Sequence, residues 1–279
     1  MARLIRLIGL GFLGVMIGLE IIFQILPVTT GLGYQKIAQA DPVLRTSVPF
    51  VKHSSDWKFH QVQTRKVNNY GFPDDLDYQP NSHPIAIIGD SYIQSLMLPY
   101  ADTLQGQLGK MLDAQHHSVY SFGVPGYSLA GYVGSAEYAS KVFQPQQFIF
   151  LLTKGDITDS LSAETAGSYF LNSNNLAIEF EPNKSSQLSQ FMLQSALMRY
   201  LVFHLEFQPN SIFKFDTDQS AHAIEKSPDI NQLSTRLLDY LEQKSTVRPE
   251  NTTFIIDCDR DKIYQRQPQS QTEQYFLRD

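Results

Sequence analysis

The sequence predicts a parallel, doubly wound α/β sheet. Three short apolar runs each end in a glycine-containing turn, and capped segments of helical periodicity separate them. The runs begin at Ile85, Ser118 and Gln147, so three loops converge on one edge of the sheet.

Before the first run lies a different kind of segment. Leu7 to Leu26 is nearly all apolar, and about 20 such residues cross a bilayer core. Arg3 and Arg6 precede it, which places the amino terminus in the cytoplasm and the remainder on the extracytoplasmic (periplasmic or extracellular) side. Glu20 is the one carboxyl within the run, and it costs a few kcal/mol there unless it faces a partner or lies near an interface. Ala38-Gln39-Ala40 resembles a signal-peptidase site but lies far beyond the apolar run, so the run reads as an uncleaved signal-anchor rather than a cleaved signal. Residues 1–30 are expected to be the membrane anchor. Residues 31–83 form a polar, proline-containing lead-in, with Trp57, Phe59 and Tyr70 available to pack on a core.

The domain proper is expected over 84–279. Ile85 to Ile88 is continuously apolar, as in a strand buried on both faces of a parallel sheet. Gly89 then permits a sharp turn, and Gly89-Asp90-Ser91 presents a serine where open α/β sheets place their ligands. A simpler reading of the tripeptide is a loop and helix N-cap, because Asp and Ser both cap well. Asp102 or Thr103 opens a helix with Leu104, Leu108, Met111 and Leu112 at helical spacing. A second strand, Ser118–Phe122, runs into Gly123-Val124-Pro125-Gly126-Tyr127. Ser128 opens a helix running to about Lys141, with Pro145 just beyond its end. A third strand, Gln147–Leu152, runs into Thr153-Lys154-Gly155-Asp156.

The stretch at about 160–228 reads as a helical insertion. Gln187 to Glu206 suggests a helix, with Leu188, Phe191, Met192, Ser195, Leu197, Leu201 and Leu205 partly in register, and its aromatic and methionine content suits a core. Phe207 to Pro228 is irregular and gathers Asp216, Asp218 and His222. A Ser227-Pro228-Asp229 start and Leu233, Leu237, Leu238 and Leu241 on one face predict a further helix. Thr253–Asp257 is a fourth strand, followed by a polar tail from Asp259.

Together these motifs resemble the SGNH, or GDSL, hydrolase family, most closely its membrane-tethered branch related to polysaccharide O-acetyl-modifying proteins. The resemblance rests on Gly89-Asp90-Ser91, on Gly123-x-x-Gly126, and on a Gly-Asp after the third strand. Asn68-Asn69-Tyr70-Gly71-Phe72 also resembles the Asn-x-x-Gly-Phe segment that precedes the first strand there. It implies a flavodoxin-like three-layer α/β/α sandwich around a parallel sheet. It also implies Ser91 as nucleophile toward an ester carbonyl. Backbone N–H groups of Ser91 and Gly126 would form the oxyanion hole; Gly126 is equally a turn glycine after Pro125.

Two departures stand out. Gly155 occupies the position of the family's oxyanion asparagine, and losing one such donor costs roughly 100- to 1,000-fold in turnover. The C-terminal Asp-x-x-His is missing, since no histidine follows His222. The literal Asp113-Ala114-Gln115-His116 reads instead as a helix C-terminus, where imidazole is favoured. The chain therefore looks like the family domain without its last β-α repeat, whether as a shortened gene, a fragment or a degenerate relative.

Composition narrows the classes. Of the 279 residues 42% are hydrophobic and 18% charged, which supports a globular core. A net charge of −6 with no basic cluster argues against a nucleic-acid partner. One cysteine, Cys258, excludes an internal disulfide and a cysteine-based zinc site, and reads as a buried structural thiol. The adjacent His116-His117 pair lacks further ligand spacing, so no metal or cofactor is expected. The expected partners are the membrane and, by resemblance, an acylated polysaccharide or small ester. The expected function is a serine esterase or O-acyltransferase-type domain, weak or inactive as given. The alternative is a non-catalytic relative that binds glycan or assembles with other membrane proteins.

Overall fold

Four strands make the central sheet: β1 (Ile85–Gly89), β2 (Val119–Gly123), β3 (Gln147–Leu152) and β4 (Thr252–Ile256). The computed structural model describes residues 1–30, 34–37, 44–47, 52–54, 58–112, 117–153, 155–160, 168–170, 178–180, 191–205, 207, 235, 239–240, 242–243 and 247–257. All pairings in the sheet are parallel, in the order β4-β3-β1-β2, with Gly89 opposite Gly123, Ile88 opposite Phe150 and Ile256 opposite Leu152. The strand order reverses between β1 and β3, which makes their carboxyl ends the topological switch point. The predicted α/β class and all four strands are present, each within a residue of its expected bounds.

The helices whose bounds fall among the described residues include α1 (Ala2–Ile25), α2 (Ser91–Gln94), α3 (Leu104–Leu112), α4 (Leu129–Val142), α5 (Asp156–Asp159) and α6 (Ala196–Arg199). Successive side chains of a strand leave opposite faces, and β1 divides accordingly. Ala86 and Ile88 join a cluster with Leu129, Tyr132, Val133 and Ala136 of α4, while Ile85 and Ile87 join Ile93 of α2 and Leu108 and Leu112 of α3. Helices thus cover both faces. Met111 was expected on the packed stripe of α3 but is 75% exposed, because Leu108 and Leu112 already fill the contact with the sheet. Thr103 caps α3, its hydroxyl accepting from Gly106 N.

The end of the lead-in is part of this core. Asn68 is fully buried; its side chain accepts from Tyr70 N and Phe72 N and donates to Leu76 O. Gly71 adopts φ 85° in that loop, a conformation a side chain would resist. The loop inserts Phe72 edge-on against Phe122, with ring centroids 5.0 Å apart. Tyr78 stacks on Tyr120, centroids 3.9 Å apart, and its hydroxyl accepts from Ser121 N and donates to Asp74 Oδ2. Strand β2 is an edge strand, so this tyrosine occupies backbone groups that would otherwise be open to pairing. Tyr70 also packs on the core, edge-on to Phe143. Phe59 does not, stacking instead on Tyr200 with its ring tilted to that of His204. Trp57 lies outside the described residues.

The helix expected over Gln187–Glu206 is interrupted. Ser195 is extended (φ −74°, ψ 130°) and caps the short α6, accepting from Met198 N; a π-helical turn, Tyr200–His204, follows. The physical reason is a distant acceptor: Ala196 N and Leu197 N donate to the carboxylate of Glu20. A helix running through Ser195 would consume those donors internally. Ser168–Phe170 and Ile178–Phe180, within the stretch expected to be helical, form a two-stranded antiparallel ladder. Of the helix expected after Ser227-Pro228-Asp229, the described residues Thr235, Asp239, Tyr240, Glu242 and Gln243 are helical; the group Asp216, Asp218 and His222, and Cys258, lie outside the described residues. So does Asp113–His116.

Helix α1 has 24 residues, about 36 Å at 1.5 Å per residue. It is long and apolar enough to cross a membrane, and none of its apolar window is buried in the rest of the molecule.

Candidate active site

The three residues singled out by the sequence all follow carboxyl ends of adjacent strands. Ser91 comes two positions after the last residue of β1, Gly126 three after β2, and Gly155 three after β3. The loops are tied together: Val124 N donates to Gly89 O, joining the ends of β1 and β2, and Asp257 N donates to Leu152 O at the ends of β3 and β4.

Ser91 is the first residue of the four-residue α2 and is exposed. Asp90 is the N-cap, its Oδ1 accepting from Tyr92 N at 2.9 Å, so the capping reading of this aspartate holds. Among the described residues the Ser91 hydroxyl has no hydrogen-bond partner. Gly123 lets α2 sit directly on the end of β2: a Cβ there would stand 2.4 Å from Gln94 N and 3.0 Å from Asp90 O. Gly126 is the third residue of the turn closed by Tyr127 N donating to Val124 O, with φ 73°. Proline at the second position and a positive-φ glycine at the third are the requirements of a type II turn. Gly155 carries no side-chain amide, and a Cβ there would approach Asp159 Oδ2 to 2.9 Å.

The loop after β3 is organised by Asp156. Its Oδ2 accepts from Thr153 N at 2.6 Å and from the Tyr132 hydroxyl at 3.1 Å, and its Oδ1 accepts from the Thr153 hydroxyl at 3.0 Å. The Ser160 hydroxyl accepts from Ala130 N at 2.9 Å and lies 2.9 Å from Ser128 Oγ, so it completes the cap of α4 that Ser128 alone does not supply. Burial, reinforced by the charge of Asp90, pushes the Asp156 carboxyl up to about 6 against the pull of its hydrogen bonds. Burial likewise raises Asp90, with Asp257 adding to the effect. Three carboxyl groups therefore share the carboxyl edge of the sheet. Tyr132 and Asp257 had no local signal: the first looks like one more core aromatic, the second like the end of a strand.

This electrostatics has a measurable consequence. Between about pH 4 and 6 the native Asp156 keeps a proton that the unfolded chain releases, so its contribution is complete below about pH 4 and lost as pH rises through about 6. The expected cost at neutral pH is about 2–3 kcal/mol at most. Asp156→Asn retains an acceptor for Thr153 and Tyr132. Its stability relative to the parent, measured by urea denaturation, should rise between pH 4 and 7; a constant difference would contradict the assignment.

Three of the described histidines are held away from this edge or by other partners. His83 and His117 lie just before β1 and β2, at the opposite edge, bonded to Gln144 O and the Gln146 side chain. His204 Nε2 accepts from Thr29 N.

No protein-family model matches the chain, and no curated protein matches it. Among solved structures, an acetyl xylan esterase (Est2A) from the rumen bacterium Butyrivibrio proteoclasticus is similar at 14% identity, over 65% of this chain and 57% of that one, with a TM-score of 0.25. The chain thus spans somewhat over half the length of that enzyme.

Proposed function

We propose that the chain is an SGNH-type serine ester hydrolase or O-acyltransferase-type domain, held on the extracytoplasmic side of a membrane by α1. One observation carries the reading. An exposed serine without a hydrogen-bond partner among the described residues opens the short helix after β1, at the switch point of a β2-β1-β3-β4 sheet. That order is the beginning of the flavodoxin-like order 2-1-3-4-5, whose ligands bind at the β1/β3 switch point. In this reading the unit runs from 84 onward behind the lead-in, with 160–228 as an insertion. Ser91 Oγ attacks the acyl carbonyl, the Ser91 and Gly126 N–H groups receive the oxyanion, and the alcohol leaves to give an acyl-serine. Transfer to water or to a glycan hydroxyl frees the serine. The resemblance supplies the substrate class, O-acylated glycans or small acyl esters.

Turnover is slow in this account. Gly155 gives no side-chain donor to the oxyanion, and general-base assistance contributes about 100- to 10,000-fold where a base is present. The same Gly155 favours a second reading, a non-catalytic protein that keeps the crevice for binding or assembly. Hydrolysis of p-nitrophenyl acetate separates the two. The first reading expects a slow rate that Ser91→Ala abolishes; equal rates in parent and variant would support the second.

A further inference from the structure

Glu20 resolves the oddity of a carboxylate in an apolar helix by finding partners far away in the chain. Its Oε2 accepts from the Ser195 hydroxyl at 2.6 Å and from Leu197 N at 3.0 Å, and its Oε1 accepts from Ala196 N at 2.9 Å and from Gln24 Nε2 at 2.7 Å. Around this clamp Phe23 stacks on Tyr200 with centroids 4.3 Å apart, and Thr29 N donates to His204. Residues 195–204 are thereby fastened to the last turns of α1.

The level of that clamp matters. Leu4 to Glu20 spans about 24 Å of helix, and a hydrocarbon core is about 30 Å thick. A span beginning at Leu4 leaves Glu20 about 6 Å inside the boundary, and one beginning at Leu7 leaves it deeper. The apolar surface of α1 indeed continues past Glu20, with Ile21, Ile22 and Ile25 all more than half exposed. Donors that reach Glu20 must descend to the same level. The segment that carries them is also unusually apolar on its outside: Phe191 is 70% exposed, Leu205 51%, Phe207 41% and Phe203 40%.

We infer that residues 191–205 and 207 belong to an interfacial membrane segment, seated in the headgroup and acyl boundary beside the span and held there by Glu20. The inference rests on the anchor reading of α1 given above. It assigns the exposed aromatics to lipid because they adjoin, through the clamp, a helix surface already committed to lipid. Such seating fixes the orientation of the sheet over the membrane, where a flexible tether would leave it free.

Depth-dependent quenching tests this with the full chain in phosphatidylcholine vesicles containing acyl-chain doxyl lipid. Single-cysteine variants Val15→Cys, Phe191→Cys, Phe203→Cys and Met111→Cys, in a Cys258→Ser background, carry an environment-sensitive fluorophore. Quenching at Phe191 and Phe203 should come within about threefold of that at Val15, as expected for 5–10 Å insertion, and Met111 should show almost none. Glu20→Ala should lower quenching at Phe203 and leave Val15 unchanged, with Glu20→Gln intermediate. Quenching at Val15 but not at Phe191 or Phe203 would overturn the inference and leave the anchor standing. No quenching at Val15 would overturn both. A blue shift at Phe203 without quenching, growing with protein density, would mean that a protein partner covers the segment and would also overturn it. Unchanged quenching in Glu20→Ala would remove the clamp.

Discussion

Tyr78→Ala is expected to destabilise the chain by about 4 kcal/mol or more, a large share of the 5–15 kcal/mol typical of whole domains. The ring stacks on Tyr120 and lies 5.7 Å, edge-on, from Phe143, so truncation opens a cavity in the centre of the aromatic cluster. The hydroxyl adds its own share. Without it, Ser121 N loses an acceptor and the buried Asp74 carboxyl, already pushed up by burial, loses a donor. Tyr78→Phe isolates that share and should cost about 1–3 kcal/mol. Urea denaturation of the detergent-solubilised chain measures both. A Tyr78→Ala loss below about 1 kcal/mol would show that the lead-in does not cover the β2 edge as described.

Gly123→Ala should be nearly as damaging, by about 3 kcal/mol, and should also move the candidate nucleophile. The added methyl would meet backbone, Gln94 N at 2.4 Å and the Ile93 carbonyl carbon at 2.9 Å, and backbone does not yield as a flexible side chain does. Helix α2 must lift from β2, and Ser91 is its first residue. Gly155→Ala is the contrast. Its nearest neighbour is the carboxylate tip of the exposed Asp159, which can swing away, so stability should change by less than about 1 kcal/mol. Comparable losses in the two variants would contradict the close seating of α2.

The sheet was legible because its information is local. β-branched and aromatic runs bounded by Gly and Pro identify strands, and strand–turn–helix alternation implies parallel pairing. Ser91 was legible for the same reason, as a serine immediately after a strand and its turn glycine. The helix expected over Gln187–Glu206 failed because its periodicity is real but its break at Ser195 is imposed by a carboxylate 175 positions away in the chain. Glu20 could be recognised as anomalous, whereas its partners could not be found from spacing. Tyr132 was similarly hidden: α4 is buried on almost all sides, so one tyrosine that turns its hydroxyl to the carboxyl edge leaves no trace in the pattern. The role of Asn68-x-x-Gly71-Phe72 became physical only with the fold, as a self-bonded loop that delivers Phe72 to β2.

The central claim is that Ser91 performs acyl chemistry at the carboxyl edge of this sheet, and mapping an acyl adduct tests it most directly. The full chain is incubated for hours with excess p-nitrophenyl acetate, quenched in acid, digested and sequenced by mass spectrometry. On the slow-turnover reading, an acetyl-serine should accumulate. The account predicts one acetyl group on the peptide carrying Ser91, absent in Ser91→Ala and suppressed in Gly123→Ala. Acetylation scattered over lysines and other serines, with Ser91 unmodified, would contradict it and leave the fold as a binding scaffold.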